Sequence, residues 1–571
     1  MILCSQARIA RMIGAGHWGT RTVWDMFVAN VERCPQDEAV VDPPNLAELA
    51  GMAPRRLSWR ALFDEVEGLA ALLHREGLRR DDIVLLQLPN CSLQVALYLA
   101  CHRLGLVITP VPAVYREHEI EHALEVTEAK AIVTTAHIGK HAHAAMMAAL
   151  LPRHARVRRL FVAGGEQPGA VSIDAALAAP EALPLEQMRV QAAAIALSAD
   201  DVLSICWTSG TEASPKGVPR SSNEWVQQAK GTVESAGLAP GMRLLNPFPL
   251  VNMGGMSTGF VGWLLKGLTL VQHHPFDLAV FLQQLREERI DYTVAPPTIL
   301  MRLLHNEALL EGIDFKRLKR IGSGSAPLPP AMIEACAQRH GVEVLNYFGS
   351  NEGAAMCGNA ADVPDPVDRA TLFPRPPRNG ERRWATTINN LVSTRLVALD
   401  GSHDIDAPGE TGELRIAGPT VFGGYYRSPE LNARSFDAQG FFRTGDLFEI
   451  AADPRYLRYV GRVKDLIVRG GMKISAEEVE SLIVAHPAVA DAAVIGQPHA
   501  ELGETLCACV VARPGMSLDL AGLVGFLRDE KKLAPFKLPE ALRLMDALPR
   551  NAVGKVLKRQ LREAAAASAT G

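Results

Sequence analysis

Alternating helix and strand patterns through the main body of the chain predict an α/β fold of layered β-sheets and helices. A change of texture after about residue 460 predicts a small mobile α+β domain at the C-terminal end. The length, 571 residues with 48% hydrophobic side chains, leaves room for several cores.

From Ser58 the apolar residues Trp59, Leu62, Phe63, Val66, Leu69, Ala70 and Leu73 recur at helical spacing, with Ser58 as N-cap and Gly77 as a stop. Residues 83–86 read as a buried strand, 92–104 as a second helix and 106–111 as the next strand. Short apolar runs at 131–135 and 160–163 continue that rhythm, which favours helices covering mostly parallel strands. Residues 201–207 are a further strand. In the C-terminal part Ser475 and Glu478 spell a capping box, a short helix follows, and 489–495 and 506–511 read as strands. The glycine-containing, charged segment 461–471 joins the two parts, so the expected division is 1–463 and 464–571. Residues 361–385 hold five prolines and five arginines and are expected to form an exposed insertion without regular structure.

Acidic and basic side chains nearly balance, 63 against 59, for a net charge of -4. That balance offers no field for a polyanion, so nucleic acid is not an expected partner. The nine cysteines are scattered, without a CxxC pair, and only Cys507 and Cys509 are close; free thiols in a reducing compartment are expected. Arg8 and Arg11 break the apolar core that a signal peptide needs, and no 18 uncharged apolar residues run together. A cytoplasmic protein without integral membrane association is the expectation.

The strand at 201–207 runs into Thr208, Ser209, Gly210, Thr211, Glu212, Ala213, Ser214, Pro215, Lys216 and Gly217. Such a loop can wrap a polyphosphate, because small residues let backbone N–H groups approach the oxygens while hydroxyls and an ammonium add charge-assisted donors. It departs from the Walker loop: Pro215 precedes the lysine, and Gly217 replaces the metal-binding Ser or Thr. A polar surface loop is the competing reading.

TSGTEASPKG resembles the phosphate signature of the superfamily of acyl-CoA synthetases, peptide-synthetase adenylation domains and luciferases. Further segments follow in that superfamily's order. Gly324-Ser325-Ala326-Pro327-Leu328 resembles its adenine-side GGAPL turn, and Asn346-Tyr347-Phe348-Gly349-Ser350-Asn351-Glu352 its YGxTE segment. Phe442-Arg443-Thr444-Gly445-Asp446-Leu447 is similar to YRTGDL. Gly461-Arg462-Val463-Lys464-Asp465 with Gly470 and Gly471 is similar to GRxKD...GG, and Leu548-Pro549-Arg550-Asn551 with Gly554 and Lys555 to LPRxxxGK.

The resemblance implies an AMP-forming carboxylate-CoA ligase that uses ATP, Mg2+ and coenzyme A on a small-molecule carboxylic acid. Lys555 would bridge carboxylate and α-phosphate, and Glu352 would hold Mg, a hard cation that prefers oxygen ligands. Asn351 stands where the family usually has threonine, and its amide could donate to the α-phosphate. Thr208, Ser209, Gly210, Thr211 and Lys216 would embrace the phosphates. Gly324, Ser325, Ala326, Tyr347 and Gly349 would border the adenine, with Phe348 stacking on it and Asn346 meeting its exocyclic amine. Asp446 would accept the ribose hydroxyls, supported by Arg462. Core packing for Phe348 and a structural salt bridge for Asp446 and Arg462 are the competing readings. The C-terminal domain would turn about Lys464 between half-reactions, with Gly470 and Gly471 lining a pantetheine passage. Asn252, Met253 and Gly254 fall in the acyl segment; the Asn252 amide could touch a polar substrate group or only cap a loop.

His118-Glu119-Ile120-Glu121-His122 fits HExxH formally, but no third ligand is evident, so zinc chemistry is not expected. Gly14-Ala15-Gly16-His17-Trp18-Gly19 spells GxGxxG with too little chain before it for a strand-first nucleotide unit, and reads as an entry loop. His137, His141, His143, His273 and His274 are expected to be solvated. Two alternatives remain: an enzyme that loads a separate acyl carrier protein, and a non-catalytic nucleotide-binding relative. Homodimerisation and the identity of the acid are left open.

Overall fold

The structure, a computed structural model, describes residues 1–571 apart from 209–214, 325–327, 378–382, 470–471, 500, 532, 552–554 and 570–571. Its first sheet has seven strands in the order Val171–Ser172, Arg159–Ala163, Ala131–Thr135, Ile83–Gln87, Val107–Pro110, Val202–Trp207 and Gly217–Ser221, and only the last joins antiparallel. A second, eight-stranded sheet runs Ala354–Gly358, Glu343–Ser350, Arg320–Gly324, Tyr292–Val294, Arg243–Asn246, Thr269–Gln272, Glu38–Val41, Arg56–Ser58. Its inner strands are parallel and both edges antiparallel.

The helices Val23–Arg33, Trp59–Arg75, Ser92–Arg103 and Ser222–Ser235 lie between these sheets and supply one large apolar core with Phe27, Trp59, Tyr98, Trp225 and Trp263 at its centre. Parallel strands covered on both faces require continuous apolar runs, which is why residues 83–87 and 131–135 are buried at every position. The helix predicted from Ser58 spans Trp59–Arg75, and the Ser58 hydroxyl accepts from Ala61 N–H at its start.

A third sheet, antiparallel throughout, orders Leu372–Pro374, Tyr456–Arg462, Phe442–Ile450, Thr411–Ala417 and Ser393–Ala398. Past Asp465, among the described residues, the strands pair only with one another. Met472–Ser475, Leu466–Arg469, Gly503–Ala512 and Val489–His499 follow in order, with Ala541–Leu544 beside Gly503–Ala512. Apolar clusters cover both faces of this fourth sheet. Cys507 and Cys509 are buried on one of them, and all nine cysteines are free thiols.

Several expectations need correction. The described residues of the segment 361–385 do not form an exposed insertion. The segment holds the helix Pro366–Thr371 and the edge strand Leu372–Pro374, and Val363, Arg369, Phe373 and Trp384 are buried. Its hub is Asp362, 4% exposed, which accepts from Ala385 N–H at 2.7 Å, Asn389 Nδ2 at 2.7 Å and the Thr386 hydroxyl. Composition misled here because the anchors are irregularly spaced, and Pro374 sits on an edge strand, where a missing N–H costs nothing. The capping box at Ser475 is half made: the hydroxyl accepts from Glu478 N–H at 3.2 Å, while the Glu478 carboxylate binds Lys537 Nζ at 2.6 and 2.7 Å. His143, His273 and His274 are buried and not solvated. His273 Nδ1 donates to Gln284 Oε1 at 2.8 Å, and burial pushes both His273 and His274 down to about 4, so both are neutral.

Candidate active site

The phosphate-loop neck is built by the last two strands of the first sheet. Thr208 N–H donates to Lys216 O at 3.0 Å, and Lys216 N–H returns a bond to Thr208 Oγ1 at 3.2 Å. Trp207 Nε1 holds the strand end to Thr109 Oγ1 at 2.9 Å, and His122 Nε2 donates to Pro215 O at 2.8 Å. That bond absorbs one histidine of the HExxH pattern. His118 is exposed, and among the described residues no group of three or more His, Cys, Asp or Glu side chains is arranged to hold a metal ion. Ser209, Gly210 and Thr211 lie outside the described residues, as do Ser325, Ala326, Gly470 and Gly471.

The strand Glu343–Ser350 leads into the turn carrying Asn351 and Glu352. Glu352 Oε1 accepts from the Tyr425 hydroxyl at 2.8 Å, and Glu352 O accepts from Phe422 N–H at 2.8 Å. Lys216 Nζ stands 5.4 Å from the Tyr425 ring centroid, so Tyr425 sits between the predicted phosphate lysine and the predicted metal carboxylate. The segment with Tyr425 was passed over in the sequence because its pattern carries no chemistry of its own. A lone carboxylate fits a hard cation that completes its oxygen shell with phosphate and water.

Asn351 is more committed than expected. Its Nδ2 donates to Trp207 O at 2.9 Å and its Oδ1 accepts from Met253 N–H at 2.7 Å, which ties the phosphate strand to the acyl segment. Asn252 Oδ1 accepts from Gly255 N–H at 3.3 Å, the loop-capping option, at the start of the π-helical stretch Gly255–Gly262. Gly254 and Gly255 pack where a side chain would strike Phe248 and Pro249.

On the adenine side Asn346 is buried, and its Nδ2 donates to Arg369 O and Ala370 O at 3.0 Å each. Only its Oδ1 is left for an exocyclic amine, so the segment 361–385 helps shape this side. Gly324 must lack a side chain, because a Cβ there would overlap Tyr347 O. The Tyr347 hydroxyl meets Ser235 Oγ at 2.7 Å and points into the large core, not toward solvent. Half-buried Phe348 packs edge-on against Phe448 at 5.0 Å and Phe373 at 5.9 Å, with Tyr459 at 6.0 Å. Gly349 is exposed beside it.

Antiparallel register sets Asp446 opposite Arg462, and Arg462 Nε lies 2.9 Å from Asp446 Oδ1. The Asp446 side chain is buried, and Oδ1 has no well-aligned hydrogen-bond donor. Burial pushes its carboxyl up to about 6 against the pull of Arg462 and Lys555. Arg462 is held above its usual range: burial works against its charge, and Asp446, Tyr459 and Glu477 outweigh that cost. The carboxylate is ion-paired with Arg462 without an aligned hydrogen bond, which leaves it acceptor capacity for incoming hydroxyls.

Lys555, from the C-terminal part of the chain, is coupled electrostatically to this pair. The loop that carries it is closed by Asn551 N–H to Lys555 O and Lys555 N–H to Asn551 Oδ1, both at 2.9 Å. Burial, then Arg462, push its ammonium below the usual lysine range, while Asp446, Glu477 and Asp465 oppose them. Lys464, in the short 3-10 turn Val463–Asp465 between the third and fourth sheets, is pushed down to about 7 by burial, Arg462 and Lys555. Asp446, Arg462, Lys464 and Lys555 thus share one electrostatic cluster, joined by Glu477, whose buried Oε2 also lacks a donor.

Comparison with known proteins shows the family. Residues 27–426 match the model of the AMP-binding enzyme family, and 478–555 match the AMP-binding enzyme C-terminal domain. The 2-hydroxy-7-methoxy-5-methyl-1-naphthoate--CoA ligase of Streptomyces carzinostaticus is 32% identical over 97% of this chain and 95% of its own. A salicylyl-CoA synthase / salicylate adenylyltransferase of a Streptomyces species is 31% identical over 96% and 94%. ATP-bound MatB from Rhodopseudomonas palustris superposes with a TM-score of 0.75 at 25% identity, covering 95% of this chain and 99% of that one. With one family model over the main body, a second over the C-terminal part and relatives matched along nearly the whole chain, the chain belongs to the AMP-binding enzymes, the superfamily of acyl-CoA ligases and adenylation enzymes.

Proposed function

We propose that this enzyme joins a carboxylic acid to ATP as an acyl adenylate, releasing pyrophosphate, and then passes the acyl group to the thiol of coenzyme A, releasing AMP. The observation that carries the proposal is the buried Asp446–Arg462 ion pair, whose charges Lys555 feels from the C-terminal part of the chain. Two anions must meet in the first step, so positive charge is needed where the α-phosphorus gathers negative charge. Lys555 is proposed to supply it, because burial leaves its ammonium poorly solvated and it gains most from a phosphate oxygen. Asp446 orients the ribose, Phe348 offers one face to the adenine, and Lys216 with the 208–216 loop receives the phosphates. Glu352 is the residue that would hold Mg2+, which when bound neutralises phosphate charge.

The second step requires the other arrangement of the C-terminal part. We place the division at residues 463 and 464, with Lys464 as the hinge and Gly470 and Gly471 beside the pantetheine path. The acids named for the two Streptomyces relatives, a hydroxynaphthoate and salicylate, make aryl acids the leading substrate class. The relative named both CoA synthase and adenylyltransferase keeps a second reading in view, in which the adenylate is the product or a carrier-protein thiol the acceptor.

Acid-dependent exchange of labelled pyrophosphate into ATP tests the first half, across a panel of aryl and aliphatic acids. Thioester formation with coenzyme A as the only thiol is then assayed on the best acid. Exchange without thioester would leave the second reading standing, and no exchange with any acid would reject both.

A further inference from the structure

Arg220 lies on the strand Gly217–Ser221 that leaves the phosphate loop, and it is 0% exposed. A guanidinium at that depth is costly unless its neighbours compensate it. The two carboxylates whose charge favours it are engaged elsewhere: Glu224 pairs with Arg8 at 3.3 Å, and Glu352 accepts from Tyr425. Burial accordingly pulls Arg220 down to about 10, and its Nε has no hydrogen-bond partner.

What Arg220 does touch is informative. Its Nη1 lies 3.7 Å from Met253 Sδ in the acyl segment, and its Nη2 donates to Thr420 O. Its guanidinium carbon stands 4.8 Å from the Trp225 ring centroid. Thr420 begins the strap whose Phe422 N–H and Tyr425 hydroxyl hold Glu352. Gly353, next to Glu352, has φ +101°, and a Cβ there would overlap Thr420 O and crowd Arg220 Nη2 at 2.7 Å. One buried side chain therefore fills the space between the acyl segment, the metal-carboxylate turn and the strap behind it.

We propose that Arg220 is a positioning residue that couples the acyl segment at Met253 to the turn carrying Glu352. The acid seated against Met253 and the carboxylate presented to the metal are then set by the same guanidinium. An apolar side chain of similar volume would fill the space without the desolvation cost, and would lose the bond to Thr420 and the charge behind Glu352. Lysine keeps the charge but presents a point donor that cannot span Thr420 O and Met253 together. The inference rests on the adenylation reading above.

The test uses full-length enzyme with Arg220→Met and Arg220→Lys. Pyrophosphate exchange is measured across the acid panel and against Mg2+ at saturating ATP, with thermal melting as the check on folding. Arg220→Met is expected to lower kcat about tenfold or more, raise the Mg2+ midpoint about threefold and reorder the acids. Arg220→Lys is expected to restore the Mg2+ midpoint without restoring the order of acids. A folded Arg220→Met enzyme with the wild-type Mg2+ midpoint and acid order would overturn the inference, whatever its total activity. If the methionine variant does not fold, Arg220→Lys decides alone: wild-type acid order overturns the inference and a changed order supports it. If wild-type enzyme adenylates no acid, the proposed function fails. Calorimetric ATP affinity with and without Mg2+ then decides this point, because a variant whose Mg2+ enhancement equals that of wild type overturns it.

Discussion

The ribose role proposed for Asp446 predicts a pH dependence of nucleotide binding whose size can be calculated. The Asp446 carboxyl is pushed up to about 6 in the free protein, above the ordinary aspartate range, because burial penalises the charge more than Arg462 and Lys555 favour it. Ribose hydroxyls donate to the ionised form, so a bound ribose should draw the pKa back toward the ordinary carboxylate range. The sign follows: affinity is full above pH 6 and falls as pH drops through 6, where the free protein holds a proton that binding must release. At pH 5 the penalty factor is one plus ten, an affinity about tenfold weaker than at pH 8, or about 1.4 kcal/mol.

Adenosine is the ligand to use, because the phosphates of AMP and ATP titrate in the same range and would confuse the reading. Isothermal calorimetry from pH 5 to pH 8 should show the slope, together with proton uptake or release that varies with the buffer's ionisation enthalpy. Asp446→Asn should flatten the profile and weaken binding at pH 8 by about 2 kcal/mol, the size of a hydrogen bond to a charged acceptor. 2′,3′-Dideoxyadenosine should bind weakly and without the slope. A pH-independent adenosine affinity, or an equal slope for the dideoxy compound, would refute the assignment of Asp446 to the ribose.

Lys555→Ala should slow adenylate formation by about 3 kcal/mol in barrier, over a hundredfold, while calorimetric ATP affinity changes much less, since the ammonium acts where charge develops. Lys464→Pro should separate the half-reactions: fixing φ near about -65° traps one arrangement, so single-turnover pyrophosphate release and acyl transfer from preformed adenylate should slow to different extents. Equal slowing would count against the hinge. Asp362→Ala should destabilise the main body by about 3 kcal/mol, seen as an earlier urea transition, because several buried donors lose their acceptor. The same variant should weaken adenosine binding, as the segment it anchors holds Asn346.

Read alone, the sequence determined what depends on local order. The helix Trp59–Arg75 with its Ser58 cap and the strand Ala131–Thr135 follow from period and composition, because a parallel strand buried on both faces must be apolar throughout. Ordered motifs likewise nominated the residues proposed to carry the chemistry, since a lysine, an arginine and two carboxylates can be named without knowing how they meet. Tertiary structure decided everything that depends on partners distant in sequence. Register across two strands sets Arg462 against Asp446, and the fold puts the charge of Lys555 within electrostatic reach of them. The amides of Asn346 and Asn351, open to a ligand by type, are engaged by Arg369, Ala370, Trp207 and Met253. Segment 361–385 looked like a surface insertion because proline and arginine resist regular structure. It is built in because Asp362, Phe373 and Trp384 find buried partners whose positions exist only once the sheets have assembled. Burial of Arg220 is of the same kind: a charge in a strand pattern reads as an exposed face, and only the strap folded over it makes it part of the interior.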